Sequence, residues 1–270
     1  MNADDVLAQV VQLCREAGAA IMRVYERGEV VADAKADGSP LTEADLASHR
    51  VLVDGLTKLT PDIPVLSEES KAVPWSERSG WQRLWLVDPL DGTKEFIKRN
   101  GEFTVNVALI EAGEAVAGVV YAPALDRCYW GSLAGAFRQD GEAAPETITV
   151  AGDPAGAARI VASRSHNSAE VAAFLDQLEE HECVAMGSSL KLCLVADGSA
   201  HLYPRLGPTM EWDTAAAHAV VTAAGGQVET ATGEPLRYNR ENLLNPHFIV
   251  SGSTMWDWRS ALRKSQEMSH

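Results

Sequence analysis

Four acidic residues of this sequence stand where an apolar segment ends or a helix begins, positions from which a side chain can project into a cleft. They are Glu68, Asp88, Asp91 and Asp213. Converging carboxylates repel one another strongly unless a cation lies among them. Mg²⁺ takes oxygen ligands in octahedral geometry. The four positions are therefore candidate ligands of a hard divalent cation.

The segment with the most candidate metal ligands is Asp-Pro-Leu-Asp-Gly-Thr at 88–93. A turn at its proline would bring Asp88 and Asp91 to the same side and leave the Leu90 carbonyl free as a third oxygen ligand. Gly92 would let the backbone approach a ligand closely. The same run is also good chemistry for a solvated β-turn, so that alternative stays open.

The other acidic positions have structural interpretations too. Glu68 could lie on the surface beside Glu69, and Asp213 could complement the dipole of the helix that it begins. The run Thr-Glu-Ala-Asp at 42–45 is typical of a capping box, although Asp45 could equally take part in catalysis.

The composition indicates a folded protein that avoids long nucleic acids. The chain has 270 residues, 46% of them hydrophobic, with 23 Lys and Arg against 38 Asp and Glu, a formal net charge of −15. That charge repels DNA and RNA backbones, but it admits a small anionic substrate if cations neutralise the site. The four cysteines show no metal or disulfide spacing, and no secretory signal or long apolar stretch is evident. We therefore predict a cytoplasmic protein without integral membrane segments.

Hydrophobic periodicity predicts alternating helices and strands. Helices are expected at 6–26, 42–59, 168–180, from 187, at 211–224 and in the tail from 254; strands are expected at 65–67, 85–87, 103–110, 115–121, 127–133, 135–138, 159–163, 200–203 and 248–250. Residues 33–40 are predicted to form a loop, and Leu46, Val53 and Leu56 to face the core. The pattern changes near 154, which predicts an N-terminal α+β half with an antiparallel sheet (1–154) and a C-terminal α/β half (155–270).

Taken together, four segments resemble the inositol monophosphatase superfamily of metal-dependent, lithium-sensitive phosphatases. They are SPLTEAD at 39–45, SEES at 67–70, WLVDPLDGT at 85–93 and EWDTAA at 211–216. Within that superfamily the chain is most similar to the CysQ-like branch, the 3′(2′),5′-bisphosphate nucleotidases. The markers of that branch are Lys-Glu-Phe at 94–96, where inositol phosphatases usually have Thr-Asn-Phe, together with 163–166, 187–191 and 202–205.

The resemblance implies an α/β fold of the α+β type, a layered α/β/α/β/α sandwich. It implies two or three Mg²⁺ ions, with Mn²⁺ as an alternative and Li⁺ as an inhibitor. The implied metal ligands are Glu68, Asp88, the Leu90 carbonyl, Asp91 and Asp213. Thr93 and Asp45 would orient and activate water, and Glu68 would belong to the catalytic set.

The resemblance further implies hydrolysis of adenosine 3′,5′-bisphosphate (PAP) to AMP and phosphate, with cleavage of PAPS to APS as a second candidate. The expected substrate contacts are Gly92, Thr93, His166, Ser188, Lys191, Arg205 and Asp213. Lys191 and Arg205 would anchor the second phosphate, although Lys191 could be a solvated helix residue and His166 an ordinary core or surface histidine.

Three alternatives stay open. The same chemistry could act on inositol monophosphate or on fructose 1,6-bisphosphate, and the fold could serve a nucleotide sensor without catalysis. The intact acidic set and Thr93 favour catalysis. Relatives of this kind are monomers or dimers, and some are attached peripherally at the inner face of the cytoplasmic membrane.

Overall fold

A computed structural model describes residues 3–28, 32–34, 40–162, 169–178, 180–252 and 257–268. The helices within these ranges are α1 Ala3–Tyr25, α2 Glu43–Leu59, α3 Trp75–Arg78, α4 Thr93–Ile97, α5 Ala169–Leu175, α6 Leu190–Ala196, α7 Glu211–Ala223 and α8 Trp258–Met268. No helix of the described ranges is both long and apolar enough to cross a bilayer.

The strands form a short pair and two larger sheets. β1 Ala32–Ala34 pairs with β2 Pro40–Thr42. A seven-stranded sheet follows chain order and is antiparallel apart from its parallel β3–β4 pair. Its strands are β3 Val65–Ser67, β4 Arg83–Asp91, β5 Thr104–Glu111, β6 Glu114–Ala122, β7 Arg127–Ser132, β8 Gly135–Asp140 and β9 Glu146–Thr147.

A five-stranded mixed sheet follows, in the order β11-β10-β12-β14-β13. Its strands are β10 Ala158–Ala162, β11 His181–Ala185, β12 Leu202–Arg205, β13 Gln227–Thr230 and β14 Phe248–Ser251. The chain enters it eleven residues after the end of β9, close to the predicted change of pattern at 154; the division into halves at that residue stays a prediction.

The helices and sheets stack in five layers. α1 and α2 cover one face of the seven-stranded sheet, α6 and α7 lie between the two sheets, and α5 and α8 cover the outer face of the five-stranded sheet. The longer helices pack through an apolar stripe, as in α1, where Val10, Ala17 and Ile21 are fully buried. The predicted α/β/α/β/α sandwich is confirmed.

Two glycines let α7 lie directly on the seven-stranded sheet. A Cβ on Gly118 in β6 would stand 2.2 Å from the carbonyl oxygen of Ala216, and one on Gly131 in β7 would stand 2.7 Å from the Cα of Val220. Real side chains never tolerate such approaches, so the helix backbone rests against strand backbone. This contact sets the position of the first turn of α7, which carries Asp213, relative to the end of β4.

The structure corrects several local predictions. Residues 33–40 are not a loop throughout, because β1 and β2 occupy both ends; 35–39 lie outside the described ranges. Leu46 and Val53 are only half-buried. The buried face of α2 instead comprises Ala44, Asp45, Ser48, Leu52 and Leu56. Packing against α1 and β4 decides which face turns inward, and this tertiary contact overrides the local pattern.

Besides β1 and β2, three more strands were not predicted from the sequence. β9 has two residues, β13 has four, and β11 is an edge strand whose residues are all partly or fully exposed. Strands of this kind show no clear alternation of apolar and polar residues, which is the signal on which strand prediction depends.

Candidate active site

The end of β4 carries two of the predicted acids on a β-bulge. β4 pairs with β5 regularly up to Asp88 opposite Asn106, the register then shifts, and pairing resumes at Asp91 opposite Thr104. Asp88 Oδ1 accepts a hydrogen bond of 3.0 Å from the Leu90 amide. Since Asp88 is only 2% exposed, the alternative of a solvated turn is wrong: the strand continues through this segment instead of stopping at 87.

Glu68 reaches the same place from the parallel neighbour β3, and its amide donates to the Val87 carbonyl at 3.1 Å. Its carboxyl group is hydrogen-bonded to that of Asp88. Burial raises the pKa of Asp88 well above its usual value, and the nearby charges of Glu68, Asp91 and Asp213 raise it further. Asp88 therefore interacts electrostatically with the other three acids, each from a different part of the chain.

The pKa values of Asp91 and Asp213 are raised as well, and that of Asp213 partly by Asp91. Burial raises the pKa of Asp91 to about 6, against the opposing effects of Lys191 and of the Ser189 amide, which donates to Asp91 Oδ2 at 2.6 Å. Burial and then the charge of Asp91 raise the pKa of Asp213 to about 8. Asp213 lies in the first turn of α7, as predicted, and its Oδ2 accepts from the Met210 amide at 2.8 Å, so that it also caps the helix.

These two acids share a pocket with the predicted basic residues. Asp91, Ser188, Lys191, Arg205 and Asp213 all line one cavity of about 80 Å³. This volume is well below the roughly 300–1,000 Å³ of pockets that enclose a drug-sized ligand. The cavity can hold a phosphate group, while a nucleoside attached to it would extend outside.

The two cations of the pocket are held differently. Burial lowers the pKa of Lys191 and Asp91 opposes that shift; its Nζ lies 5.8 Å from the ring centre of Tyr203. Arg205 donates through Nη2 to the Pro208 carbonyl at 2.8 Å, whereas its buried Nε has no hydrogen-bond partner. An unsatisfied buried guanidinium N–H is costly, and an anion in the pocket would satisfy it.

Asp45 forms the predicted capping box and also contacts Thr93; its part in catalysis stays a prediction. Its Oδ2 accepts from the Thr42 amide at 2.8 Å and from Thr42 Oγ1 at 2.6 Å, which forms the capping box of α2. Its Oδ1 accepts from Thr93 Oγ1 at 3.3 Å. Because Thr42 fixes the Asp45 carboxylate, Asp45 Oδ1 keeps its position beside the Thr93 hydroxyl.

Gly92 occupies a position that requires glycine. Its φ of +90° lies in the left-handed region. A Cβ there would stand 3.2 Å from the Glu102 carbonyl oxygen and 3.4 Å from the Ser188 Cβ. Gly92 thus brings the backbone of β4 close to Ser188 at the rim of the pocket. His166, the remaining predicted contact, lies outside the described residues.

The sequence analysis did not identify Ser189, which contacts Asp91, or the two buried polar residues that hold Ser189 in place. Ser189 Oγ donates to Asn106 Oδ1 at 2.8 Å and lies 2.8 Å from Thr104 Oγ1. Thr104 and Asn106 are buried polar residues two apart in the otherwise apolar strand β5. This pattern could have been used in the sequence analysis. Residues two apart in a strand lie on the same face, so two polar residues in an apolar strand indicate a polar partner on that face.

The donor set suits a hard cation, but the metal geometry is not preformed. Four carboxylates and a carbonyl are all oxygen donors, as Mg²⁺ prefers. Among the described residues, however, no group of three or more His, Cys, Asp or Glu side chains is arranged to hold a metal ion. Three of the acids are hydrogen-bonded to backbone amides, of Leu90, Ser189 and Met210. Each of these bonds occupies one carboxylate oxygen, so the second oxygen of each acid is available for a cation, although the side chains would have to move closer to one another to share an ion.

Comparison with known proteins places the chain in a family. The model of the inositol monophosphatase family matches residues 2–267. The chain belongs to the inositol monophosphatase family, as its acidic segments predicted.

Particular relatives narrow the class further. The 3′(2′),5′-bisphosphate nucleotidase CysQ of Escherichia coli is 54% identical over 250 residues, which cover 91% of this chain and 99% of that protein. The solved structure of CysQ from Bacteroides thetaiotaomicron is 43% identical, with a TM-score of 0.81 and coverage of 91% and 96% of the two chains. An IMPase structure from Thermotoga maritima has the same TM-score of 0.81 at 25% identity, with coverage of 98% and 100%. The fold is thus common to the family, while the sequence lies nearer to the CysQ proteins.

Proposed function

We propose that this protein is a Mg²⁺-dependent phosphatase that hydrolyses the 3′-phosphate of PAP to give AMP and inorganic phosphate, with PAPS, cleaved to APS, as a second substrate. The observation that carries the proposal is the 54% identity to a protein named 3′(2′),5′-bisphosphate nucleotidase, over 99% of that protein's length. The grouping of acidic and basic side chains around one small pocket supports it.

The residues that would hold Mg²⁺ are Glu68, Asp88, the Leu90 carbonyl, Asp91 and Asp213, around two or three ions, with Mn²⁺ as a substitute and Li⁺ as an inhibitor. When bound, Mg²⁺ acidifies water and offsets the negative charge of the transferring phosphoryl group. The mutual repulsion that raises the pKa of Asp88 and Asp213 is what a cation would relieve.

Thr93 would position the attacking water. Its hydroxyl can donate to Asp45 Oδ1 at 3.3 Å or to the Leu90 carbonyl at 3.4 Å, and in either case its oxygen lone pairs are free to accept a hydrogen bond from a water molecule. The water oxygen would form the new bond to phosphorus and give up one proton, the bond from phosphorus to the ribose 3′-oxygen would break, and that oxygen would take up a proton, so that no net proton is gained or lost. Asp45, held by Thr42, offers the Thr93 hydroxyl an acceptor of fixed position.

The second phosphate of PAP would be anchored by Arg205 and Lys191, with Ser188 as a neutral donor and His166 near the nucleotide. An arginine can grip a phosphate through two parallel hydrogen bonds. The unpaired Nε of Arg205 beside a bonded Nη2 leaves donors available. A monophosphate such as inositol monophosphate has no group for this anchor.

A phosphate-release assay tests the proposal. PAP, PAPS, inositol monophosphate and fructose 1,6-bisphosphate are compared at equal concentration, with Mg²⁺, without it, and with Mg²⁺ plus Li⁺. We expect PAP to be turned over fastest, with activity lost without Mg²⁺ and reduced by Li⁺. Faster release from inositol monophosphate or fructose 1,6-bisphosphate would replace the substrate assignment, and tight PAP binding without release would indicate a sensor.

We further infer that the protein is a cytoplasmic monomer or homodimer, with peripheral attachment at the inner membrane face as its only membrane contact. The inference rests on the family resemblance. Light scattering during size-exclusion chromatography measures the mass, and co-sedimentation with anionic lipid vesicles measures the attachment.

A further inference from the structure

A buried asparagine lies behind the pocket that Asp213 lines, although it belongs to a distant segment of the chain. Asn245 stands shortly before β14 and is 5% exposed. Its side-chain nitrogen lies 2.8 Å from the Met210 carbonyl oxygen, 3.1 Å from Thr214 Oγ1 and 3.2 Å from Thr209 Oγ1. Thr209 and Thr214 line the same pocket as Asp213. Asn245 thus contacts the segments of chain on both sides of Asp213.

The directions of these hydrogen bonds follow from the groups involved. Thr214 Oγ1 lies 3.1 Å from the Glu211 carbonyl, which can only accept, so the Thr214 hydroxyl donates there and its oxygen accepts from Asn245. The Met210 carbonyl is likewise only an acceptor. Because a side-chain amide carries two N–H donors, Asn245 can bond Met210 and Thr214 at the same time. It therefore ties the residue before α7 to the first turn of that helix.

Asn245 acts on Asp213 through Met210. The Met210 amide donates to Asp213 Oδ2 at 2.8 Å, and the carbonyl of the same residue accepts from Asn245. A residue that is bonded through both its N–H and its C=O keeps its orientation. Since Asp213 takes its position partly from the Met210 amide, loss of the bond to Asn245 would let that carboxylate move.

The backbone of the segment that carries Asn245 is docked independently of its side chain. The Glu211 amide donates to the Leu243 carbonyl at 2.9 Å, and the Asn245 amide donates to the Thr209 carbonyl at 2.8 Å. Both bonds are between backbone groups, so they survive a change of side chain at position 245. The contact of the Asn245 side chain with Met210 can therefore be removed while the segment stays in place.

We propose that Asn245 is a positioning residue, which holds the start of α7 so that the carboxylate of Asp213 stays directed at the place where Mg²⁺ would bind. This inference rests on the proposed function and adds a residue that supports one of its ligands. Groups that hydrogen-bond metal ligands from behind change metal affinity or activity about 10- to 100-fold when they are replaced. Asn245 acts through one further residue, so we expect an effect of about tenfold.

Asn245→Leu tests the proposal, because leucine has the same branched shape and no hydrogen-bond donor in its side chain. Mg²⁺ is titrated into wild type and variant, and binding is followed by the stabilisation of each protein in urea unfolding. We expect the Kd for Mg²⁺ to rise about tenfold. Half-maximal release of phosphate from PAP should likewise need about tenfold more Mg²⁺, and excess Mg²⁺ should restore most of the turnover. A merely structural role would lower the stability without Mg²⁺ and leave the Kd unchanged.

Asn242→Leu is the matched control. Asn242 lies in the same segment, is exposed, and accepts through its side chain from the Leu244 amide at 3.0 Å. The same substitution there should leave the Kd for Mg²⁺ at its wild-type value. Asn245→Ala is the second variant, which decides the matter if Asn245→Leu does not fold, and it should weaken Mg²⁺ binding in the same direction.

Equal Kd values for Mg²⁺ in wild type and the Asn245 variants would overturn the proposal. So would an equal rise in Asn242→Leu, or a loss of turnover in Asn245→Leu that excess Mg²⁺ does not restore. A wild type that Mg²⁺ neither stabilises nor activates would instead refute the Mg²⁺-dependent function itself, and the role of Asn245 with it. The two failures are thus distinguished by the wild type alone.

Discussion

Replacing Arg205 with glutamine should change which substrate the protein prefers more than how well it catalyses. Arg205 ends β12 and lines the pocket beside Asp91, Asp213 and Lys191. Its Nη2 is engaged by the Pro208 carbonyl, whereas its buried Nε is unpaired. A hydrogen bond to a charged group contributes about 1.5–3 kcal/mol. Loss of one such bond to the second phosphate of PAP should therefore lower kcat/KM for PAP about 10- to 150-fold.

Inositol monophosphate, which lacks the second phosphate, should lose much less. A modest loss is expected because the charge of Arg205 also lowers the pKa of Asp213. The assay is phosphate release at fixed Mg²⁺, and the quantity compared is the ratio of the kcat/KM values for the two substrates. The ratio should fall about tenfold or more if the anchor is correct.

Arg83→Gln is the matched control. It removes the same charge at the opposite end of β4, where Arg83 pairs with Glu111 at 2.7 Å. Neither substrate should be affected. If Arg205→Gln lowers kcat/KM for both substrates by the same factor, Arg205 does not contact the second phosphate and the reasoning fails.

Three further perturbations test the site and the fold. Thr93→Val should lower kcat about 10²–10⁴-fold with little change in KM, whereas Thr93→Ser should retain most activity, as measured by phosphate release. Gly118→Ala should destabilise the protein by about 1–3 kcal/mol in urea unfolding, because its Cβ would stand 2.2 Å from the Ala216 oxygen; Gly80→Ala, with its nearest contact at 3.9 Å, should not. His218, with a pKa of about 4 when folded and about 6.5 when unfolded, should make the protein lose about 3 kcal/mol of stability as the pH falls from 6.5 to 4.

The sign of the His218 effect follows from proton uptake. Below about pH 6.5 the unfolded chain binds a proton that the folded ring refuses, because burial and Arg237 disfavour its charged form. Acidic side chains elsewhere in the protein add their own pH dependence to the stability of the wild type. The clean measurement is therefore the difference in unfolding free energy between wild type and His218→Gln at each pH. A difference that does not vary between pH 7 and 4.5 would contradict the assigned pKa.

The Thr93 and Gly118 variants can also contradict the account. Full activity of Thr93→Val would remove the hydroxyl from the mechanism. Normal stability of Gly118→Ala would mean that α7 does not rest on strand backbone at that point.

Local signals explain the parts of the site that the sequence predicted correctly. The run at 42–45 carries its own capping chemistry, so both the start of α2 and the position of Asp45 could be predicted from four residues. β3 was predicted with the bounds that it has, because a short apolar run there is bounded by prolines on one side and acids on the other.

Non-local contacts explain what was missed. The sequence Asp-Pro-x-Asp-Gly alone favours a turn. In the structure, however, β4 pairs with β5 as far as Asp91, and the shift of register between Asp88 and Asp91 forms a β-bulge. The contact of Ser189 with Asp91 joins residues 98 positions apart. No spacing along the chain could indicate that contact, since it depends on how α6 docks against the end of β4.

The four acidic residues could be recognised as a candidate metal site only when they were considered together. Glu68, Asp88, Asp91 and Asp213 each had an ordinary structural interpretation, and Asp213 does lie in the first turn of a helix, which it also caps. The structure adds what no single segment contained: burial and mutual charge repulsion that raise the pKa of three of them.

The most direct test of the account is the stabilisation of the protein by Mg²⁺, followed by urea unfolding in wild type and Asp88→Asn. If the acids converge on Mg²⁺, a concentration of about 100 times Kd should stabilise the wild type by about 2.7 kcal/mol. Asp88→Asn should fold, lose that stabilisation and show no release of phosphate from PAP, whereas Asp54→Asn on the exposed side of α2 should behave as wild type. Equal stabilisation of wild type and Asp88→Asn by Mg²⁺, with turnover preserved in the variant, would contradict the central claim.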